Sequence, residues 1–326
     1  MTDRRAVRSA VFLACLVALA IAAPWIGLRD PAAQPDTLVL RDRPPFSSVE
    51  ALELADGSLR YGHEIRAAGG GSYELRRGTS WNTFSPEQLA AGEDDPRRRV
   101  RFLFGTDSFG RDLLSRLIHG ARISLPVGGL AALMALVIGT TLGLVSGLSG
   151  RWIDALLMRL TDMLLSIPRL FLALMLVALY RASLWTTVVV IGATTWMAAA
   201  RLVRGEVLSL RGRPFVQAAR AAGVNRIRLG YRHLLPAAIV PILVDATLRV
   251  ADAILLEATL SFLGMGVQPP DPSWGNLIAD GRDSFPEAWW IATIPGLAIA
   301  ATVIALNLIG DAARERLSAR RARPMG

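Results

Sequence analysis

Lysine is missing from this chain: all 36 of its basic residues are arginine. A phosphate-binding loop needs a lysine to reach the β- and γ-phosphates, and Schiff-base chemistry needs a side-chain amine, so both are excluded. Cysteine is nearly missing too. Cys15 stands alone in an apolar run, which rules out a disulfide or a cysteine metal cluster within one chain. The three histidines, His63, His119 and His233, are far apart and lack metal-ligand spacing. No G-x-S-x-G nucleophile elbow is found. No catalytic residue, metal or cofactor site is expected in this chain.

What is present is apolar. The 326 residues are 52% hydrophobic, with a mean hydropathy of +0.39, the composition of a polytopic membrane protein. The net charge of +9 is unevenly placed. Residues 29–122 hold 14 arginines against 14 acidic residues, so the surplus lies in the first eight residues, in 201–233 and beyond 310. Basic surplus beside apolar spans is the positive-inside pattern, and nucleic-acid binding is the weaker reading of that charge.

An apolar run of about 20 residues is needed per span. The patterning predicts an all-α polytopic membrane protein with six transmembrane helices. They fall near Ala10–Gly27, Ser124–Leu148, Leu160–Tyr180, Leu184–Ala200, Leu234–Leu256 and Ala288–Ile309. For the first, a cleaved signal peptide is the competing reading, because "ALAIAA" resembles a cleavage site. Even-numbered crossing with an arginine-rich start puts both termini in the cytoplasm. Residues 1–28 are then the N-terminus and first span, 29–121 an external segment, 122–311 the membrane core and 312–326 a basic cytoplasmic tail.

Within the external segment, alternation of Leu59, Tyr61, His63 and Ile65, resumed by Tyr73 and Leu75, predicts a small β-hairpin around Gly69–Gly71. The runs Glu93–Asp95 and Arg97–Arg99 read as solvated surface. Leu113, Leu114, Leu117 and Ile118 share a helical face, opposite Arg111, Asp112, Ser115 and Arg116. This predicts an amphipathic helix along the outer membrane interface. In the second span Gly139, Gly143 and Gly147 make a small-residue stripe for close helix packing, within the chain or with a partner subunit. Trp289 and Trp290 read as interface anchors.

Between the fourth and fifth spans lies "RPFVQAARAAGVNRIRLGYRHLLP". Pro214 suits a first helical position and Gly223 a helix stop, so 214–223 predicts a slim, alanine-rich helix of about two turns. So short a helix needs a surface to pack on. Asn225 suits the N-cap of a second helix, and Pro236 predicts a kink at the start of the fifth span. Arg226, Arg228 and Arg232 also suit phospholipid head groups.

This stretch resembles the EAA loop of bacterial ABC-importer permeases, with the pattern E-A-A-x3-G-x9-I-x-L-P. Here Gln217, Ala218, Ala219, Gly223, His233, Leu235 and Pro236 occupy its places; Gln217 stands for the glutamate and His233 for the isoleucine. "GTDSFGRDLLSRLIHGARISL", "RWIDALLMRLTDMLLSIPRL", "LEATLSFLGMGVQPPDPSWGNLI" and "LNLIGDAARERL" extend the likeness over 104–317. They are similar to the second, DppC/OppC-like permease of dipeptide, oligopeptide and nickel importers.

The resemblance implies the type I importer permease fold in the bacterial inner membrane. It implies a second homologous permease, two ABC ATPase subunits holding ATP and Mg2+, and an external substrate-binding protein as partners, besides membrane lipid. It further implies that Pro214, Phe215, Gln217, Ala218, Ala219, Arg220, Gly223, Leu235 and Pro236 couple the chain to the ATPase. Peptides are the expected cargo, with nickel or another small solute as alternatives, and an ion-gradient transporter as the remoter reading.

In the fifth span Asp245, Arg249 and Asp252 share a face, where Arg249 is expected to pair with both carboxylates. Two readings stay open: lining of the substrate path, or an internal ion network. Arg159 and Asp162 read as a structural pair.

Overall fold

The structure, a computed structural model, describes residues 2–90 and 95–322. Most of the acidic run at 93–95 and the end of the basic tail lie outside these. The chain divides into two compact units. One comprises residues 1–17, 124–268 and 299–326, the other 18–123 and 269–298.

In chain order the elements are α1 (Thr2–Ala22), α2 (Thr37–Leu40), β1 (Ser47–Glu53), β2 (Leu59–Gly62), β3 (Glu64–Gly69), β4 (Ser72–Arg77), β5 (Ser80–Phe84) and β6 (Arg97–Phe102). There follow α3 (Leu113–Leu148), α4 (Arg151–Ser166), α5 (Arg169–Leu179), α6 (Leu184–Leu210), α7 (Pro214–Ala221) and α8 (Arg226–Leu229). The last are α9 (Leu235–Phe262), α10 (Trp274–Asp280) and α11 (Trp290–Ala322).

Among the described residues, four helical stretches are long and apolar enough to cross a membrane: Arg4–Trp25, Leu113–Leu148, Leu184–Leu210 and Trp290–Arg316. The predicted third span is not one helix. Its residues are split between α4 and α5, which are bent by 89°. Pro168 has no amide hydrogen and holds Ile167 extended (φ −85°, ψ 128°), so α4 ends before it. Helix α9 has 28 residues but contains Asp245, Arg249, Asp252 and Glu257, which sets it apart from the uniformly apolar helices.

The expected interfacial helix is not separate either. Residues 113–121 are the first turns of the continuous, 36-residue α3. Its polar side is not solvated: Ser115 and Arg116 are buried as fully as Leu113. A pattern of apolar and polar faces identifies a helix but not what covers the polar face; here the carboxylates of Asp107 and Asp280 meet Arg116, and the carbonyl of Arg29 accepts from Ser115.

The unit containing the β-strands has two three-stranded sheets, ordered β2-β1-β6 and β3-β4-β5, instead of a single small hairpin. Strands β3 and β4 do pair across the glycine turn, Ile65 opposite Leu75. The alternating run 59–65 is two strands, however. β2 pairs with β1, and the chain changes sheet at His63. A Cβ on Gly62 would stand 2.6 Å from Leu75 Cγ, so only glycine lets the sheets close up there. Leu52, Leu75 and Leu89 fill the space between the sheets, while Val39, Leu40, Val49, Ala51, Tyr61, Val100 and Phe102 form a neighbouring core.

In the helical unit the glycine stripe is filled from within the chain. A Cβ on Gly139 would stand 2.7 Å from the Trp196 carbonyl oxygen, and one on Gly143 2.5 Å from that of Ala200. One on Gly147 would meet Val207. Helix α6 therefore lies directly against α3, an approach that side chains would forbid.

Candidate functional site

Helix α7 is built as its sequence asks. Pro214 starts it, with Arg213 extended as the N-cap. Gly223 ends it at φ +77°, a conformation glycine adopts without strain. There the amide of Gly223 donates to Arg220 O at 3.0 Å and that of Val224 to Ala219 O at 3.1 Å, the paired bonds of a Schellman stop.

One residue anchors the helix. Val216 is fully buried in a core with Leu144, Val203, Val207, Leu229, Leu234, Ala238 and Ile242, and Ala219 packs on the same core. Pro214, Gln217, Ala218 and Ala221 are exposed, leaving a narrow, small-residue ridge away from Val216. Phe215 and Arg220 are exposed beside it. Gln217 is turned back: its Nε2 donates to Gly212 O at 3.2 Å. Asn225 caps α8 by accepting from Arg228 N at 2.8 Å. A π-turn over Gly230–Leu234 then leads into α9, with Leu235 N donating to Gly230 O. His233 is half-buried, and Pro236 stands in the first turn of α9, where its missing amide hydrogen is not needed.

The charges on α9 pair differently from expectation. Arg249 bonds Asp245 through Nε and also donates from Nη1 to Thr195 O at 3.1 Å on α6. It does not pair with Asp252. That carboxylate meets Arg169 Nη1, on the first residue of α5, at 3.5 Å. The expected Arg159–Asp162 pair is replaced too: Asp162 bonds Arg201 of α6. Arg204 grips Asp154 with two bonds of 2.6 and 2.7 Å, tying α6 to α4. Pairing chosen across helices thus overrides spacing along one helix. Further along α9, the buried Glu257 accepts from Ser124 Oγ at 3.0 Å and Ser261 Oγ at 2.7 Å. The sequence reading passed over it; an ionisable residue in an apolar run was the available signal.

The strand-bearing unit contains a second charged constellation. Asp107 Oδ2 accepts from Arg111 Nε at 2.6 Å and Arg116 Nη1 at 3.1 Å. Asp280 Oδ2 accepts from the same two guanidiniums at 2.8 and 3.1 Å. Asp107 Oδ1 takes the amides of Phe109 and Arg111, both at 2.9 Å. Burial pushes the Asp107 carboxyl above its ordinary value against the pull of Arg111. At Asp280 burial dominates, offset by Arg111 and reinforced by the Asp107 charge, and the pKa rises to about 6. Trp290 belongs to this interior: it is buried and its Nε1 donates to Thr106 O at 3.2 Å, while Trp289 is half-exposed. Of the tryptophan pair, only Trp289 is left to face outward.

Residues 139–323 match the family described as binding-protein-dependent transport system inner membrane component. The di/tripeptide transport system permease protein DppC of Pseudomonas aeruginosa is 45% identical over 219 residues, 67% of this chain and 72% of that protein. The dipeptide transport system permease protein DppC of Alkalihalophilus pseudofirmus is 44% identical over 214 residues, 66% of this chain and 70% of that protein. A chain from an inward-facing structure of the MetNI methionine ABC transporter superposes with a TM-score of 0.54 at 18% identity. The superposition covers 65% of this chain and 98% of that one, a likeness of fold.

Proposed function

The chain belongs to the family of binding-protein-dependent transport system inner membrane components, and from that premise we propose that it is the permease forming half the membrane passage of an ATP-driven peptide importer. A second, homologous permease supplies the other half. Two ATPase subunits hold ATP and Mg2+, and an external binding protein delivers the cargo. The chain itself is non-catalytic. The names of its relatives support di- and tripeptides as cargo.

In this reading six segments cross the inner membrane: α1, α3, the bent α4–α5 pair, α6, α9 and α11. Both termini and the arginine-rich loop 201–233 lie in the cytoplasm, as the charge distribution favours. Residues Gln268–Asp271, exposed in the loop after α9, and the two-sheet insert offer surfaces to the binding protein.

The observation that carries the proposal is α7. A helix of 8 residues, begun by Pro214 and stopped at Gly223, held by Val216 and bare of large side chains along its outer ridge, fits a groove on a moving partner. Because Val216 is continuous with the core around α3, α6 and α9, a push on α7 reaches the spans directly. Gln217 offers a hydrogen bond at this contact and no ion pair, so coupling here rests on shape rather than charge.

The test is uptake of a labelled dipeptide by vesicles containing this chain, its partner permease and the ATPase subunits, with binding protein outside. Uptake should require ATP and fail without the binding protein. Uptake driven by an ion gradient without ATP would overturn the proposal, and uptake of nickel alone would replace the cargo.

A further inference from the structure

The ion pairs of the helical unit fall into different states. Arg249 and Asp245 are closed: their side chains are 11% and 20% exposed, and Arg249 has a second partner in Thr195 O. Arg169 and Asp252 are open. A single 3.5 Å contact joins them, and the side chains are 44% and 58% exposed.

Their depth gives that exposure meaning. Asp252 lies roughly 25 Å along α9 from Leu235 at about 1.5 Å per residue, within the roughly 30 Å that a bilayer's hydrocarbon core spans. Charges facing hydrocarbon at that depth are strongly disfavoured, so this face of α9 looks onto water or protein. The backbone at the other end of this contact agrees. Ser166–Arg169, the break between α4 and α5, is exposed, and Arg169 places it at the depth of Asp252. Non-helical backbone within a membrane is tolerated where protein covers it or where it lines an aqueous space.

Resting on the permease reading, we propose that Arg169 and Asp252 form a wetted, openable pair in the passage that receives the two charged ends of a small peptide. Asp252 takes the N-terminal ammonium and Arg169 the C-terminal carboxylate. An extended dipeptide separates its ends by roughly 7 Å, so the pair opens to admit it and closes after it leaves. The long single contact suits this: it neutralises both charges when the passage is empty, yet only one contact must break. The closed Asp245–Arg249 pair on the same helix serves instead to hold α9 against α6. Specificity at this point is for zwitterions and does not read side chains, which leaves choice among peptides to the binding protein.

The lone Cys15 makes a clean test possible. In a Cys15→Ser background of the assembled transporter, Asp252→Cys is treated with membrane-impermeant thiosulfonates of either sign. Leu243→Cys, on the opposite side of α9, serves as control. Cys replacement at 252 should lower dipeptide uptake about tenfold, the loss of one charge-assisted contact. It should react with both reagents, whereas the control reacts only with an apolar maleimide. The anionic adduct should regain at least part of the lost uptake and the cationic adduct none. Failure of position 252 to react with charged reagents overturns the proposal, as does equal uptake by the two adducts. Reactivity is read whatever the cargo, so wild-type vesicles that import no dipeptide would refute the peptide reading separately.

Discussion

Two arginine–carboxylate constellations of this chain put the same kinds of side chain to opposite ends. In the strand-bearing unit, Asp107 and Asp280 share Arg111 and Arg116, and three of the four side chains are less than a tenth exposed. In the helical unit, Arg169 and Asp252 touch once and stand half in the open. A buried network with many bonds cannot lose a member without stranding a charge, so it fixes one conformation. An exposed pair with one contact is easily broken and remade, so it suits a site that changes partners.

The comparison breaks first if the buried network proves dispensable. Arg116→Ala removes a guanidinium bonded to both carboxylates and should cost about 3–5 kcal/mol, the cost of breaking a buried pair. Chemical unfolding in detergent, or loss of folded yield, measures it. A change under about 1 kcal/mol would place the network with ordinary surface pairs.

A smaller effect concerns acidity. The Asp280 carboxyl titrates at about 6 in the fold, above its ordinary 3.8. The folded state therefore takes up that proton first. Its contribution to stability is fully present below about pH 3.8 and is lost as the pH rises through about 6. Melting temperature should climb between pH 7 and pH 5, and Asp280→Asn should flatten that climb. Asp107 and Asp112, also raised by burial, act in the same direction as Asp280. An identical slope with and without Asp280 would contradict the assignment. The smallest effect is expected at the open pair: Asp252→Ala should alter unfolding by less than about 1 kcal/mol while impairing uptake.

Much of this was legible in the residues. Pro214, Gly223 and Asn225 marked the ends of α7 and the start of α8, because caps act through local backbone chemistry that a few residues determine. The glycine stripe marked a close approach, though only the structure shows that α6 fills it. What the sequence hid was long-range. The pairing of Asp252 with Arg169 joins residues 83 apart, and i, i+3 spacing pointed instead to Arg249. The break at Pro168 had a local signal, a proline between Ser166 and Arg169, but the apolar stretches on either side together have the length of one span. The two-sheet insert was underestimated, since the alternation of 59–65 does not show that the chain changes sheet at His63. The polar side of α3 looked solvated because its partners, Asp107 and Asp280, come from segments that the helical pattern does not include.

The central claim is that α7 transmits the ATPase stroke through its bare outer ridge. Ala218 is exposed on that ridge, whereas Ala219 packs on the core and would confuse contact with folding. The decisive measurement is ATP hydrolysis and dipeptide uptake, in the same vesicles, by transporter carrying Ala218→Arg. With melting temperature unchanged, uptake should fall at least about tenfold, a loss of roughly 1.4 kcal/mol or more at one docking contact. Hydrolysis should no longer respond to loaded binding protein. Wild-type uptake with a normal hydrolysis response from a correctly folded Ala218→Arg transporter would contradict the account.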